Sequence, residues 1–243
     1  MAEARIWNSS RDSLVQLKIW IGITVKGANS QSKLMKGATS PIGDGGRNAM
    51  KVNAPIVMTT RDQIKTRYSL PDSFLLFVGT LEPRKNLSRL IAALETLGDS
   101  VPELVVVGAT GWGDVTDSAK ISSQFKSRVR FAGFVQPSDL GAMYASAEVL
   151  CYPSLMEGFG LPILEAMSYG TPVVTSKGSS TQEVAGNAAV LVDPLDASSI
   201  ASGVLQALSH KSELSRLGLA RASEMTWQAT AAKTADVYEQ VVR

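Results

Sequence analysis

The stretch EVLCYPSLMEGFGLPILEAMSYGTPVVTS, residues 148–176, decides the fold. It opens on a short apolar run (EVLCYP, 148–153), passes through a loop holding Gly158 and Gly160, and continues into a window with apolar residues three and four apart from Pro162 to Tyr169. It closes on a second apolar run, TPVVTS (171–176). Runs of four to six apolar residues bounded by Gly and Pro read as buried strands, and the window between them reads as a helix. The unit is therefore strand, helix, strand. Working outward, FLLFVG (74–79), ELVVVG (103–108), VRFAG (129–133) and AAVLV (188–192) are further strand candidates. Helical windows lie at Leu87–Leu97, Ser138–Ser146 and Ala197–Ser209, with two more, Glu213–Glu224 and Thr226–Val242, closing the chain. Strands that alternate with helices pair in parallel through right-handed crossovers, with helices on both faces. The sequence thus predicts an α/β fold with a doubly wound, Rossmann-like parallel sheet. A ligand belongs at the carboxyl ends of its strands.

The chain has 243 residues, 44% hydrophobic and 19% charged, which excludes disorder as a whole and leaves room for one large domain or two small ones. One cysteine, Cys151, excludes an internal disulfide and a thiolate zinc cluster and points to a reducing, cytoplasmic setting, with peripheral membrane association left open. The net charge of +2 is unevenly spread. Residues 1–60 carry eight Lys/Arg against three Asp/Glu, so the excess positive charge lies in that quarter and gives no case for nucleic acid binding by the main body. The apolar stretch at 13–25 is broken by Gln16 and Lys18 and falls short of the ~20 residues of a membrane span. Residues 26–51 are rich in Gly, Ser, Asn and Lys and read as a linker. The expected organisation is a basic, partly flexible leader or remnant of a truncated N-terminal domain over 1–60, and a ligand-binding domain over 61–243.

Two segments carry chemistry. After the first strand, Gly79 permits a tight turn, and Arg84, Lys85 and Asn86 come at the start of the next helix. A guanidinium and an ammonium at a strand's carboxyl end make an anion site, the bland alternative being a pair of solvated charges at a helix start. The dipole of a helix N-terminus is itself positive, so cations there conflict with stability alone, and that conflict favours the anion reading. In the 148–176 stretch, Gly158 and Gly160 allow close backbone approach to a ligand, and Pro162 suits a first helical turn. Glu157 in the loop and Glu165 in the first turn of the helix or just after it can address opposite ends of one ligand. Ser154 and Glu157 also fit a capping box, which the glycines and Pro162 argue against.

Taken together, GTLEPRKNLSRLI (79–91), GATGWG (108–113), the run 129–176 and STQEVAGNAAVLVDPLD (180–196) resemble the C-terminal, donor-binding domain of glycosyltransferase family 4, the group 1 glycosyl transferases. The resemblance runs from about Thr60 to the end of the chain. It implies the C-terminal half of a GT-B fold and a retaining transfer from a UDP- or GDP-linked sugar donor, mannosyl or a related hexosyl, to a glycan or lipid-linked acceptor. A separate N-terminal acceptor domain is the implied partner. The family's E-x7-E pattern falls on Glu157 and Glu165. Arg84 and Lys85 would neutralise the donor pyrophosphate, Glu165 would hold the ribose, and Glu157 would face the transferred sugar. Gly158, Phe159 and Gly160 would give backbone contacts. Phe134, Val135 and Leu140 would line the base pocket, and Gly108 would let the chain pass close to the nucleotide. There is no Asp-x-Asp motif, so no metal or cofactor is expected, and the two cations take the role of stabilising the departing diphosphate. The only histidine, His210, reads as an exposed helix-end residue. A non-catalytic nucleotide-sugar-binding module and a GT-B-like sugar-nucleotide epimerase are the alternatives.

Overall fold

The structure, a computed structural model, describes residues 59–109 and 123–242. The expectations for the leader and for residues 110–113 of the GATGWG stretch lie outside the described residues.

All six expected strands are present: β1 (Phe74–Val78), β2 (Glu103–Val107), β3 (Val129–Gly133), β4 (Val149–Tyr152), β5 (Val173–Ser176) and β6 (Val190–Val192). They form one sheet in the order β3-β2-β1-β4-β5-β6, and every pairing is parallel. This is the Rossmann order, in which the chain reverses its direction of winding between β1 and β4. The crevice between the carboxyl ends of those two strands is the ligand position that the topology creates.

The helices are α1 (Arg61–Tyr68), α2 (Leu87–Leu97), α3 (Ser123–Lys126), α4 (Pro137–Ser146), α5 (Leu161–Ser168), α6 (Ser180–Ala185), α7 (Ala197–Ser209), α8 (Lys211–Glu224) and α9 (Trp227–Val242). They cover both faces, which explains why the central strands read as unbroken apolar runs rather than alternating ones. In β1, Leu75 and Phe77 pack with Leu90, Ile91 and Leu94 of α2 and with Ile200 and Val204 of α7. Phe74, Leu76 and Val78 pack on the other face with Met143 of α4, Ile163 and Met167 of α5, and Val184 of α6. Successive β1 residues thus feed two separate cores. Cys151 is fully buried in the first of them, and burial pushes its thiol up to about 12, so it is an unreactive core residue.

Three helices, α1, α3 and α6, were not legible as periodic windows. In α1 only Ile64 is buried, so no apolar stripe exists to be read; its start is fixed instead by a capping box between Thr60 and Gln63. The helix is held to α4 by Asp139, whose side chain is completely buried. Its carboxylate accepts from the Thr59 hydroxyl at 2.7 Å, the Tyr68 hydroxyl at 2.8 Å and the Arg67 guanidinium. These donors, Thr59 first, hold the Asp139 pKa at about 2. A carboxyl depressed in the folded state contributes stability above its unfolded value of ~3.9, and that contribution is lost as pH falls through the folded value. The protein is therefore expected to lose stability between about pH 4 and pH 2. Asp139→Asn should flatten that part of the profile while lowering stability at neutral pH, as read by denaturant unfolding across the range.

Candidate donor site at the β1/β4 crevice

The chain after β1 turns through a 3-10 turn, Pro83–Lys85, before α2 begins. Asn86 links the two in a left-handed conformation, φ 63°. Its side chain does not cap α2. The amide nitrogen instead donates to the carbonyls of Pro153, at 2.9 Å, and Pro194, at 2.7 Å, so one buried residue ties the loops after β1, β4 and β6 together. The backbone adds a further tie: the Leu155 N–H donates to the Arg84 carbonyl at 2.7 Å.

This zipped pair of loops brings Arg84, Lys85 and Glu157 into one cluster. Lys85 Nζ lies 2.7 Å from Glu157 Oε1, and Arg84 Nη1 lies 2.8 Å from Glu157 Oε2. Arg84 also donates through Nε to Glu82 at 2.7 Å. The side chains of Lys85 and Glu157 are each only 8% exposed, whereas Arg84 is 42% exposed. Lys85 further donates to the Tyr152 hydroxyl at 2.6 Å and sits 4.8 Å from the centroid of that ring. Burial works against a charge on Glu157, but the Lys85 ammonium, with the Ser154 and Tyr152 hydroxyls, overcomes it and holds the carboxyl below its ordinary pKa. The cations at the helix start are thus neutralised by carboxylates from outside that helix, which resolves the conflict with its dipole.

No helix starts at Leu155, so Ser154 and Glu157 form no capping box; α5 begins at Leu161 with Gly160 as its cap. Gly160 has φ 113°, and a Cβ there would come within 3.2 Å of Ile163 and 3.3 Å of Thr181. Gly158 has open space around it. Phe159 is partly exposed. Glu165 lies in the second turn of α5, exposed, and its Oε2 accepts from the Tyr144 hydroxyl at 2.8 Å.

Gly79 closes β1 beside the Lys85 stem: a Cβ there would lie 3.3 Å from Lys85 Cε. Gly108, at the matching end of β2, has φ 148°, and a Cβ on it would stand 2.0 Å from the Gly79 carbonyl oxygen. The two strand ends can approach this closely only because residue 108 has no side chain. After β3, Phe134 is 64% exposed, while Val135 is buried in the second core and Leu140 packs against it. His210 is exposed at the junction of α7 and α8. Reading the residues alone did not single out Tyr144, Tyr152 or Glu82. Tyr152, the last residue of β4, carries a positional signal; Tyr144, on another helix from Glu165, carries none.

The model of the family described as glycosyl transferases group 1 matches residues 58–222. The chain belongs to this family. Its fold is accordingly the doubly wound α/β domain of the GT-B glycosyltransferases. Among curated relatives, the chain is 38% identical over 173 residues to O-antigen chain mannosyltransferase B of Escherichia coli, a match covering 68% of this chain and 45% of that protein. It is 36% identical over 168 residues to the MMP alpha-(1->4)-mannosyltransferase of Mycolicibacterium hassiacum, covering 66% and 41%. Among solved structures, sucrose-phosphate synthase from Thermosynechococcus elongatus superposes with a TM-score of 0.63 at 26% identity, covering 74% of this chain and 49% of that one. The chain spans a little under half the length of each of these three proteins. Arg84, Lys85 and Glu157 meet in one cluster beside β1 and β4, and Glu165 stands apart from that cluster's ion pairs, on α5. Among the described residues, no helix is long and apolar enough to cross a membrane.

Proposed function

We propose that the crevice between β1 and β4 binds a nucleoside-diphosphate sugar and that the chain is the donor-binding part of a retaining glycosyltransferase. One observation carries this reading. A buried lysine and a half-exposed arginine stand after β1 at the topological switch point and are held there by a glutamate supplied from the loop after β4. Arg84 and Lys85 bind the diphosphate and stabilise its charge as the glycosidic bond breaks, without a metal ion. Glu165 accepts from the ribose hydroxyls. Phe134 offers an exposed apolar face to the base.

Glu157 stabilises positive charge developing at the anomeric carbon. Both of its oxygens are engaged by cations, which makes it a poor nucleophile and supports a front-face route in which the departing phosphate takes the acceptor proton. Trapping of a sugar on Glu157 would contradict that route. Two relatives named as mannosyltransferases support a mannosyl or related hexosyl donor; a GDP or UDP link, a glycan or lipid-linked acceptor met on the cytoplasmic side, and an N-terminal acceptor domain complete the proposal.

The test is a melting-temperature panel of UDP- and GDP-sugars. A ligand that prefers the folded state, at ~100 times its Kd, adds about 2.7 kcal/mol. For a domain of this size that raises the melting temperature by roughly 5–10 °C. GDP-mannose is expected to give the largest rise, and no rise with any member at millimolar concentration would refute the donor site. Donor hydrolysis or transfer with retained configuration then separates an enzyme from a module that only binds.

A further inference from the structure

Glu157 and Glu165 are held in different ways. Glu157 is gripped by two cations, whereas Glu165 has no ion pair among the described residues and its carboxylate accepts one side-chain hydrogen bond there, from Tyr144. An exposed glutamate on a helix otherwise samples many rotamers. The donor that fixes it is itself immobile. Tyr144 is 1% exposed, its ring stacks on Tyr169 with centroids 6.3 Å apart and planes 17° from parallel, and its carbonyl accepts from Thr171 Oγ1 at 2.7 Å. Tyr169 in turn occupies space that only a glycine at 141 leaves open, since a Cβ there would stand 2.3 Å from the Tyr169 hydroxyl. Burial drives the Tyr144 pKa upward, so the hydroxyl keeps its proton and donates at every working pH.

We infer that Tyr144 is a positioning residue of the nucleotide site: its buried hydroxyl sets the direction of the Glu165 carboxylate and so its grip on a ribose diol. The inference rests on the donor-site reading above and adds a residue to it. A carboxylate offers about four lone-pair sites. Tyr144 takes one on Oε2, which leaves Oε1 and the remainder of Oε2 turned outward for two neighbouring hydroxyls. With no ion pair to a cation among the described residues, such a group selects neutral hydroxyl donors over phosphate, while the Arg84 and Lys85 pair does the reverse.

The experiment compares UDP and GDP with their 2′,3′-dideoxy counterparts, by titration calorimetry, on the full chain and on Tyr144→Phe, which keeps the ring and its packing. The ribonucleotides are expected to bind about tenfold more weakly to Tyr144→Phe, as for loss of a hydrogen bond to a charged group. Affinity for the dideoxy forms should stay unchanged. In a Glu165→Ala background, Tyr144→Phe should have no further effect on nucleotide binding. Equal weakening of ribo and dideoxy forms, or a loss that persists without the Glu165 carboxylate, would reduce Tyr144 to a packing residue and overturn the inference. Failure of the underlying reading looks different: the unsubstituted chain would bind neither nucleotide, or would bind ribo and dideoxy forms alike. If the unsubstituted chain discriminates and Tyr144→Phe discriminates equally well, the positioning role alone falls.

Discussion

Lys85→Met is expected to weaken binding of a nucleoside diphosphate by about 100-fold, because it removes a buried ammonium that can meet phosphate oxygens in a charge-assisted contact. Methionine fills the space of the lysine stem beside Gly79 and over the Tyr152 ring, so the change is one of charge more than of volume. Glu157 would keep Arg84 as its partner and lose Lys85, the stronger of the influences that lower its pKa. Its carboxyl should therefore titrate at higher pH in the variant. Folding stability should fall as well, since a largely buried carboxylate would then be half paired. Calorimetric titration reads the affinity, and denaturant unfolding at neutral pH reads the stability.

Glu157→Gln should move binding in the opposite direction. In the free protein the carboxylate occupies the two cations that a diphosphate must use, so an incoming phosphate displaces or opposes a negative charge already in place. Unit charges ~5 Å apart at an effective dielectric of about 20 interact by roughly 3 kcal/mol. Even with half of that recovered by screening and relaxation, the diphosphate should bind about tenfold more tightly to the glutamine variant. Transfer should fall by at least ~100-fold, because the amide cannot stabilise positive charge at the anomeric carbon. The pairing of signs is the informative feature. If the Lys85–Glu157 contact only held the fold together, both substitutions would lower stability and neither would strengthen ligand binding.

Much of this was legible in the sequence. The central strands β1, β4 and β5 could be read because each is buried on both faces and so forms an unbroken apolar run, β3 is an edge strand that stays largely exposed and was marked by its closing glycine, and α2 and α7 could be read because each turns one apolar stripe to the sheet. The short helices α1, α3 and α6 escaped, α1 because it buries a single apolar residue and is held by a capping box and by Asp139 from a distant helix. Within the site, the cations and the glutamates could be found from their places beside glycines at strand ends. That Arg84, Lys85 and Glu157 neutralise one another could not, because the contact joins residues more than 70 positions apart through loops that Asn86 stitches together. Tyr144 escaped for the same reason: its bond to Glu165 depends on the packing of α4 against α5, which no spacing in the sequence encodes.

The central claim is that the Arg84, Lys85 and Glu157 cluster is the seat of a donor diphosphate. Titration of the chain and of Lys85→Met with UDP, GDP and their monophosphates tests it most directly. The preferred diphosphate should bind the unsubstituted chain at least tenfold more tightly than its monophosphate, and that preference should disappear in Lys85→Met. Equal affinity for mono- and diphosphate, or a diphosphate preference untouched by Lys85→Met, would contradict the account.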